Sequence, residues 1–401
     1  MSRSDTENPI TENLLTENLL TENPLVGELS IIGLKGSKDF VSKVDYYLRE
    51  WRNHDGTFIT KAACPRFGTG EAKGIIYETV RGHDVYIFCD CFNYGVHYNM
   101  FGMEVPMSPD DHFQDLKRII AAAGGKPRRI TVIMPMLYEG RQHRRGARES
   151  LDCALALNEL VSMGVTNIIT FDAHDARVQN AIPLSGFENV TPNYQMIKAL
   201  HNTVEDFSFD SDEAIIISPD EGGLNRAMYY SSVLGLDLGM FYKRRDYSTV
   251  INGRNPIIAH EYLGNDVSGK DVIIIDDMIS SGDSILDICE RMKGAGARRV
   301  FAFITFGLFA NGFDKFDQAY EAGMFNKIFT TNLIYVPEAL EKREWHTTVD
   351  MSKFIALIID TLNYDNSISK LLNPAEKINL LLNKESNGIG GDEDLDSESY
   401  E

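Results

Sequence analysis

Two carboxylates and a run of small polar residues lie side by side between Asp271 and Asp287. Four β-branched residues, 272 to 275, precede Asp276 and Asp277, and this pattern predicts a buried parallel strand that ends at the two acids. At the carboxyl end of a strand in an open α/β sheet, carboxylates can accept hydrogen bonds from sugar hydroxyls or hold a hydrated divalent metal ion. The two acids therefore indicate a ligand site.

The residues that follow the acids suit a phosphate group. They are Ser280, Ser281, Gly282, Asp283 and Ser284. A helical pattern begins here, and the N–H groups and dipole at a helix N-terminus favour an anion. The two acids and the loop together suit a sugar phosphate as ligand. An ordinary strand that ends in solvated acids and leads to a helix with a serine N-cap would give the same sequence pattern. The charge of Asp283 is poorly placed beside a phosphate, so we expect an outward side chain, with the backbone in the left-handed (αL) conformation or a similar turn conformation.

A cluster of arginines follows another predicted strand in a chain that is otherwise acidic. The cluster consists of Arg141, Arg144, Arg145 and Arg148. A solvated basic loop would show the same run of charge. Its position between a strand and a helix predicts instead that it lies at the ligand edge of the sheet, where arginine forks bind polyphosphates.

Two further strand ends carry groups that can bind a metal ion or a phosphate. Asp172 and His174 stand two residues apart after a predicted strand, so their side chains point to the same side. Asp220 follows the next strand and could coordinate a metal, while Gly222 and Gly223 permit close approach of the backbone to a ligand. A lone histidine is more often structural than a ligand, but the nearby aspartate favours a shared ligand.

Strands and helices alternate around these segments. Strands are predicted at 84–88, 129–134, 167–171, 213–217, 238–242, 298–307 and 327–335, and helices at 110–123, 150–163, 351–362 and 374–382. Such alternation predicts an α/β fold of two similar doubly wound domains with mainly parallel sheets. We expect domains at 28–187 and 188–348, followed by C-terminal helices at 349–384. The aromatic-rich stretch 93–107 predicts a long loop or insertion.

The composition limits the classes of protein to which this chain can belong. The net charge of −20 over 401 residues argues against nucleic-acid binding, and 43% hydrophobic content is ordinary for a globular chain. No apolar run approaches the ~20 residues that cross a bilayer, so we expect no membrane contact and a cytoplasmic protein. The five cysteines include no C-x-x-C pair and predict buried reduced thiols.

The two ends of the chain differ from the rest. Residues 6–25 repeat a five-residue unit that begins with TEN, and a period of five matches neither a helix nor a strand. Residues 391–401 carry six acids and no base. We expect disordered extensions at 1–27 and 385–401, with a partner-binding peptide as the alternative for the first.

Six motifs between residues 58 and 362 occur in an order that resembles one enzyme family. They are PRFGTGE with YETVRGHDVYI, GRQHRRGARES, FDAHDARVQ, SPDEGGLNRA, YKRRD and DVIIIDDMISSGDS. The last of them resembles the ribose-phosphate loop of the phosphoribosyltransferase superfamily. As a set, they resemble ribose-phosphate pyrophosphokinase, that is, phosphoribosyl pyrophosphate synthase.

The resemblance implies transfer of pyrophosphate from ATP to the anomeric hydroxyl of ribose 5-phosphate, with Mg²⁺ as cofactor. It also implies a homo-oligomer, either a dimer or a hexamer. Such a transfer needs no protein nucleophile, but it needs in-line placement, the metal, and cations near the bridging phosphates.

The resemblance further implies a role for each matched residue. Lys243 and Arg245 are catalytic. The residues for ATP are Phe67, Thr69, Gly70, Glu71, Arg141 and Gln142. The residues for ribose 5-phosphate are Arg245, Asp276, Asp277, Ser280, Ser281, Gly282, Asp283 and Ser284. The residues for the metal are Asp172, His174 and Asp220.

Several positions depart from the family pattern. Thr69 stands in place of Asn or Asp, His143 and Ser280 each stand in place of Asp, and Asp283 stands in place of Gly. These positions bear on nucleotide preference and regulation. Two alternatives stay open, a phosphoribosyltransferase that shares the loop after Asp276, and a non-catalytic regulatory subunit that binds partners through its tails. The retention of Lys243, Arg245 and His174 in the other motifs favours the enzyme over the regulatory subunit.

Overall fold

The computed structural model describes residues 23–245 and 257–386, with the backbone alone at 243–245, 257–260 and 383–386. Its strands in chain order are β1 (Leu29–Gly33), β2 (Ala62–Ala63), β3 (Ile75–Ile76), β4 (Asp84–Phe88), β5 (His97–Met100), β6 (Met103–Pro106), β7 (Arg129–Ile133), β8 (Asn167–Phe171), β9 (Gly186–Val190), β10 (Ala214–Ser218), β11 (Asp237–Arg245), β12 (Ile257–Leu263), β13 (Asp271–Ile279), β14 (Arg299–Gly307), β15 (Lys327–Thr331) and β16 (His346–Val349).

Helices alternate with these strands. They are α1 (Lys38–Trp51), α2 (Pro109–Ala123), α3 (Asp152–Ser162), α4 (Asn193–Thr203), α5 (Leu224–Leu234), α6 (Asp283–Gly294), α7 (Asp314–Glu321), α8 (Glu338–Glu341), α9 (Ser352–Asn363), α10 (Ser369–Leu372) and α11 (Ala375–Ser386). Short 3₁₀ turns occur at Lys35–Ser37 and Ala176–Ala181.

The first sheet has the strand order β1-β4-β7-β8-β9, and each of its pairs is parallel. β4, β7 and β8 are buried along almost their whole length, which explains their continuous apolar sequences. The strands expected at 84–88, 129–134 and 167–171 are confirmed. β9 was not expected, and the predicted domain boundary at residue 187 falls inside it. We therefore propose that the first domain extends to Val190.

The second sheet has the order β12-β11-β10-β13-β14-β15-β16 and is parallel apart from the β11–β12 pair. The central strand β13 is longer than the sequence pattern predicted. We expected it to end at Asp276 and Asp277, but it continues to Ile279 because Met278 and Ile279 still pair with β14. The two acids therefore lie inside the strand, not at its end. The expected strand at 327–335 is shorter and ends at Thr331.

Helix α2 shows how local signals fix an element. The Ser108 hydroxyl accepts a hydrogen bond from the N–H of Asp111 at 3.1 Å, and the Asp111 carboxylate accepts one from the N–H of Ser108 at 3.0 Å. This capping box starts the helix, and Gly124, with φ of 56°, ends it in a left-handed conformation. The helix expected at 110–123 is confirmed.

Residues 93–107 contain an antiparallel hairpin of β5 and β6 where we expected a long loop or insertion. Each strand is four residues long, which is too short for a clear period. Exposed apolar side chains, Phe101 and Met103, further obscure the pattern.

The chain returns to the first domain near its C-terminus. Arg52, just after α1, donates to Asp360 at 2.7 Å and to Asn363 at 2.9 Å, both on α9. One hydrophobic core cluster runs from α1 and the first sheet to the second sheet and α9. The predicted α/β class with two mainly parallel sheets is thus confirmed.

In the described ranges, none of the helices combines the length and the apolar character that a membrane span requires. Residues 1–22 and 387–401 lie outside these ranges, so their predicted disorder stays a prediction. The bounds predicted for the extensions, 1–27 and 385–401, are wrong, because the N–H of Val26 donates to the backbone oxygen of Asn363 at 2.9 Å and residues 385–386 belong to α11.

Candidate active site

The loop between β13 and α6 consists of Ser280, Ser281 and Gly282. Gly282 has φ of 87°, and a Cβ atom at this position would lie 2.3 Å from the Phe316 ring. Only glycine meets both demands, because other residues are strained at this φ and would clash with the ring. The turn leads into α6, whose first N–H groups lie at the carboxyl edge of the sheet and can bind an anion.

Asp283 and Ser284 occupy the first turn of α6 and are exposed. Asp283 Oδ1 accepts a hydrogen bond from Lys315 Nζ at 2.6 Å, so its carboxylate turns toward α7. The outward orientation that we expected is confirmed. The left-handed or similar turn conformation that we expected at this residue is wrong, because the preceding Gly282 adopts the left-handed conformation and Asp283 is already helical.

Three carboxylates from the two sheets surround the guanidinium group of Arg226, in the first turn of α5. Arg226 Nε donates to Asp172 Oδ1 at 2.7 Å. Its Nη1 lies 4.0 Å from Asp276 Oδ1, and its Nη2 lies 3.9 Å from Asp277 Oδ2. The Arg226 side chain is 14% exposed, so these charges meet away from bulk water, where each needs a partner.

Two more hydrogen bonds join the sheets at this point. The Thr305 hydroxyl donates to Asp172 Oδ2 at 2.6 Å, and His174 Nδ1 lies 2.6 Å from Asp277 Oδ2. Asp172 and His174 follow β8 in the first sheet, whereas Asp277 and Thr305 belong to the second. Asp172 also has φ of 40°, a strained value of the kind that concentrates at functional sites.

The shared environment shifts the pKa values of these groups in different directions. Burial, followed by the charge of Asp277, raises the pKa of Asp276 well above its usual value. Burial acts on Asp277 too, but the hydrogen bond with His174 and the charge of Arg226 outweigh it and lower the pKa of Asp277. The hydrogen bond to Asp277 raises the pKa of His174. Asp277 is therefore the ionised member of the neighbouring pair.

A cavity of about 130 Å³ opens beside the cluster. Its lining includes Arg141, Asp172 and His174, together with the apolar side chains Phe92 and Phe306. The structure thus brings one predicted ATP residue next to two predicted metal residues. A cavity with apolar walls and a few charged groups is typical of a small-molecule site.

The arginine segment continues from the cavity along the surface. Gln142 Nε2 donates to the backbone oxygen of Ser150 at 3.1 Å, a bond that spans the segment. His143 lies between the segment and the metal residues. Its ring centroid is 5.5 Å from that of His174, and its Nε2 is 3.4 Å from Asp175 Oδ2. The remaining arginines of the cluster are exposed, namely Arg144, Arg145 and Arg148.

The other predicted ATP residues, Phe67, Thr69, Gly70 and Glu71, form a tight turn elsewhere in the first domain. Phe67 N–H donates to the Glu71 backbone oxygen at 2.7 Å, and the Thr69 hydroxyl donates to Glu71 Oε2 at 2.9 Å. As far as the described residues go, the lining of the cavity beside Arg141 includes none of this turn. The two groups of predicted ATP residues are therefore not brought together in that cavity.

Of the predicted metal residues, His174 and Asp220 fit a metal ion better than Asp172. Both oxygens of Asp172 are engaged, one by Arg226 and one by Thr305. His174 uses Nδ1 toward Asp277, which fixes the ring and leaves Nε2 for a ligand. Asp220 Oδ1 accepts hydrogen bonds from the N–H groups of Gly222 at 2.9 Å and Gly223 at 3.1 Å, which hold its carboxylate just after β10. The structure holds no cluster of three metal-ligating side chains in the ranges it describes.

Lys243 and Arg245 lie at the end of β11, where Lys243 pairs with His260 of β12. Their side chains lie outside the part of the chain that the structure describes, so their catalytic role stays a prediction.

Sequence reasoning assigned no role to Arg226 or Thr305. Arg226 offered a usable signal, because it stands in the SPDEGGLNRA motif that follows a predicted strand. Thr305 gave none, since it is one polar residue in the apolar strand β14. Their meeting with Asp172 depends on how the two sheets pack.

Comparison with known families agrees with the motifs. The N-terminal domain of ribose phosphate pyrophosphokinase matches residues 29–164, and the phosphoribosyl transferase domain matches residues 190–342. The first range covers β1, β4 and β7 of the first sheet, and the second covers β10 to β15 of the second sheet.

Individual relatives carry the same name. A ribose-phosphate pyrophosphokinase of Agrobacterium fabrum is 31% identical over 256 residues, which are 63% of this chain and 74% of that protein. One of Vibrio parahaemolyticus is 28% identical over 322 residues, 78% of this chain and 91% of the relative. The crystal structure of a phosphoribosylpyrophosphate synthetase from Mycobacterium smegmatis shares the fold, with a TM-score of 0.68 and 19% identity over 84% of this chain and 100% of that one. This chain belongs to the ribose-phosphate pyrophosphokinase family.

Proposed function

We propose that this chain transfers pyrophosphate from ATP to the anomeric hydroxyl of ribose 5-phosphate, giving phosphoribosyl pyrophosphate and AMP. One observation carries the proposal beyond family membership. His174, after β8, lies 2.6 Å from Asp277 of β13, next to the Ser280–Gly282 loop. A sugar phosphate at the loop and a metal-bound polyphosphate near His174 would then be neighbours, as a direct transfer between them requires.

The second sheet would bind ribose 5-phosphate. The loop hydroxyls of Ser280 and Ser281, with the first N–H groups of α6, would hold the 5-phosphate. Asp276, whose side chain is 28% exposed, would face the ribose hydroxyls. Asp277 is 6% exposed and would act behind it by orienting His174.

The first sheet would bind the nucleotide. Arg141 lines the cavity beside His174, where its guanidinium fork would suit the polyphosphate of ATP. Gln142 and the Phe67–Glu71 turn would complete the nucleotide site. Lys243 and Arg245 would stabilise the charge that develops on the transferring group.

Mg²⁺ is the metal that we propose. His174 Nε2 and Asp220 would bind it directly or through water, and water and phosphate oxygens would supply the remaining ligands that a hard cation prefers. When bound, the ion neutralises charge on the bridging phosphates. Asp172 would support the site from behind, because its two oxygens hold Arg226 and Thr305.

The test is AMP formation by the full-length protein supplied with ATP, ribose 5-phosphate and Mg²⁺. We expect AMP to appear only with all three, to stop when a chelator removes the metal, and to resume when Mg²⁺ is restored. Consumption of phosphoribosyl pyrophosphate with a free base would favour a phosphoribosyltransferase instead. Inactivity in both assays would favour a regulatory subunit.

Lys243→Ala tests the catalytic role that we propose for Lys243. We expect it to lower kcat by at least about a hundredfold and change KM little, because a cation on developing charge acts mainly in the transition state. Lys342→Ala is the control, since the Lys342 side chain is 71% exposed and pairs with Glu338 on the surface. A kcat of Lys243→Ala within a few-fold of wild type would refute the catalytic assignment.

A homo-oligomer and a cytoplasmic location stay predictions. Light scattering of the purified protein would determine whether it forms a dimer or a hexamer.

A further inference from the structure

The tip of the β5–β6 hairpin carries an unusual residue. The two residues between the strands, Phe101 and Gly102, have φ of 52° and 80°. Two left-handed residues are typical of a tight hairpin turn, and asparagine or glycine normally fills the first position. A bulky aromatic residue is strained there. Phe101 is nevertheless 72% exposed, so among the residues that the structure describes no packing of its side chain compensates for the strain. Strained residues of this kind concentrate at functional sites.

The hairpin is attached to the turn that carries Phe67, Thr69, Gly70 and Glu71. The N–H of Phe101 donates to the backbone oxygen of Gly68 at 2.8 Å. A Cβ atom on Gly70 would lie 2.8 Å from Met100 Sδ, so the turn and β5 are in close contact. The hairpin also lies in the 93–107 stretch, which none of the six family-like motifs includes.

Arg66 and Tyr98 fix the base of this contact. The guanidinium carbon of Arg66 lies 4.7 Å from the centre of the Tyr98 ring, and its Nη2 donates to Asp115 Oδ2 at 3.0 Å. The Arg66 side chain is only 10% exposed. The Tyr98 hydroxyl in turn donates to Asp111 Oδ1 at 3.3 Å. The turn is thus held between helix α2 and the hairpin.

We propose that the β5–β6 hairpin is an added part of the nucleotide site, in which Tyr98 positions the Phe67–Glu71 turn and Phe101 contacts the base of ATP. The proposal rests on the proposed function, because that function assigns the turn to ATP. Phe67 is 57% exposed, and its position one residue before Gly68 puts a second exposed aromatic residue beside Phe101. Two exposed aromatic side chains on adjoining turns suit a planar base, which binds by stacking.

The positioning role follows from the composition of the turn. Gly68 and Gly70 leave it many conformations when it is unsupported. If only about one molecule in ten held the binding conformation, the apparent affinity for ATP would fall about tenfold. Contacts with the hairpin raise that fraction before the nucleotide arrives.

Phe101→Asn separates a binding role from a structural one. Asparagine suits the left-handed position better than phenylalanine, so the melting temperature should stay the same or rise. We expect the KM for ATP and the dissociation constant for ATP alone to rise about tenfold, because a stacking contact is lost. The KM for ribose 5-phosphate should stay within about twofold of wild type.

Tyr98→Ala and Tyr98→Phe test the positioning role. Phenylalanine keeps the ring under Arg66 and should leave ATP affinity within about twofold of wild type, whereas alanine should weaken it about fivefold or more. Leu184→Asn is a control for changing an exposed apolar residue, because Leu184 is 100% exposed elsewhere in the first domain.

Calorimetric binding of ATP keeps this inference distinct from the proposed reaction. A wild-type chain that binds ATP without forming AMP refutes the reaction but still allows the hairpin to be tested. A wild-type chain that does not bind ATP overturns both. If the wild type binds ATP, and Phe101→Asn and Tyr98→Ala bind it within about twofold of wild type, the hairpin has no part in the nucleotide site.

Discussion

The Ser280–Gly282 loop follows the central strand of a seven-stranded sheet, whereas the Phe67–Glu71 turn is attached to an exposed hairpin outside the first sheet. Gly282 is buried against Phe316, while Phe67 is 57% exposed. The sugar-phosphate part of the proposed site is therefore fixed by packing that also stabilises the fold. The nucleotide part is fixed by surface contacts, and it can change with little cost to the rest of the molecule.

The buried acids of the two domains also differ, in the groups that balance their charge. In the second sheet, Asp276 and Asp277 share the guanidinium group of Arg226 with Asp172. In the first, Asp90 lies just after β4 and is held by two backbone N–H groups, from Phe92 at 2.9 Å and from Tyr335 at 2.7 Å. Burial raises its pKa to about 7. One cluster of acids is balanced by a cation, and the other acid is balanced by dipoles alone.

Arg226→Ala should have the largest effect. It leaves three acids, Asp172, Asp276 and Asp277, without their shared cation, and breaking a buried ion pair in this way costs roughly 3–5 kcal/mol of unfolding free energy. Urea denaturation measures this loss, and AMP formation should fall with it. Arg291→Ala is the control, because Arg291 pairs with Asp287 on an exposed helix face, where a pair contributes about 0.5 kcal/mol or less. A loss below about 1 kcal/mol for Arg226→Ala would mean that the acids do not depend on it.

The same contrast explains what could be predicted from the sequence. The β13 strand, its loop and α6 were predictable because strand, glycine and helix signals follow one another along the chain. Family membership and the enzyme class, also predicted, are confirmed by the comparisons. The cluster around Arg226 was not predictable, because it joins residues from two sheets that lie far apart in sequence. The hairpin was missed because its strands are short, and the end of β13 was misjudged because two acids interrupt an apolar run that pairing with β14 continues.

Asp90→Asn tests the buried acid of the first domain that backbone N–H groups hold. The pKa of Asp90 is about 7 in the folded protein against a usual 3.8, so the unfolded chain loses this proton first as the pH rises. Its contribution to stability is therefore greatest below about pH 4, and roughly 4 kcal/mol is lost as the pH rises to about 7. Asparagine cannot titrate and removes this fall.

The measurement is the unfolding free energy from urea titrations between about pH 5 and about pH 8. Asparagine has one carbonyl oxygen, so Asp90→Asn leaves one of the two backbone N–H groups without an acceptor and lowers the unfolding free energy at every pH. The variant is therefore compared with wild type by the slope of the unfolding free energy with pH, not by its absolute value. Asp283→Asn, on the surface, should leave the slope unchanged. Equal slopes for wild type and Asp90→Asn would show that Asp90 is ionised throughout this range.

Gly282→Ala tests the packing of the phosphate loop, with Gly269→Ala as a matched control. Both glycines have positive φ, 87° and 75°, but a Cβ atom on Gly269 would meet nothing within 4 Å. Gly269→Ala should cost about 1 kcal/mol for the backbone conformation alone. Gly282→Ala should cost about 2–4 kcal/mol, because it also displaces the buried Phe316, and it should raise the KM for ribose 5-phosphate. Equal losses of unfolding free energy for the two variants would show that the contact with Phe316 adds nothing to the cost of Gly282→Ala.

Asp283→Gly should have the smallest effect. Asp283 Oδ1 is 2.6 Å from Lys315 Nζ, and both side chains are more than half exposed. The hydrogen bond with Lys315 lowers the pKa of Asp283, so the carboxylate is ionised and directed toward α7. We therefore expect Asp283→Gly and Asp283→Asn to keep the KM for ribose 5-phosphate within about twofold of wild type, at low and at high ionic strength.

Lys315→Ala tests the contact that holds the Asp283 carboxylate away from the phosphate loop. Without Lys315, the carboxylate of Asp283 is free to turn toward the phosphate loop, and repulsion should raise the KM for ribose 5-phosphate about threefold at low salt. High salt should abolish that rise, and so should combining Lys315→Ala with Asp283→Asn, because each removes the repulsion. A fall of more than about tenfold in KM for both Asp283 variants, sensitive to salt, would show that the wild-type carboxylate already faces the phosphate despite its contact with Lys315.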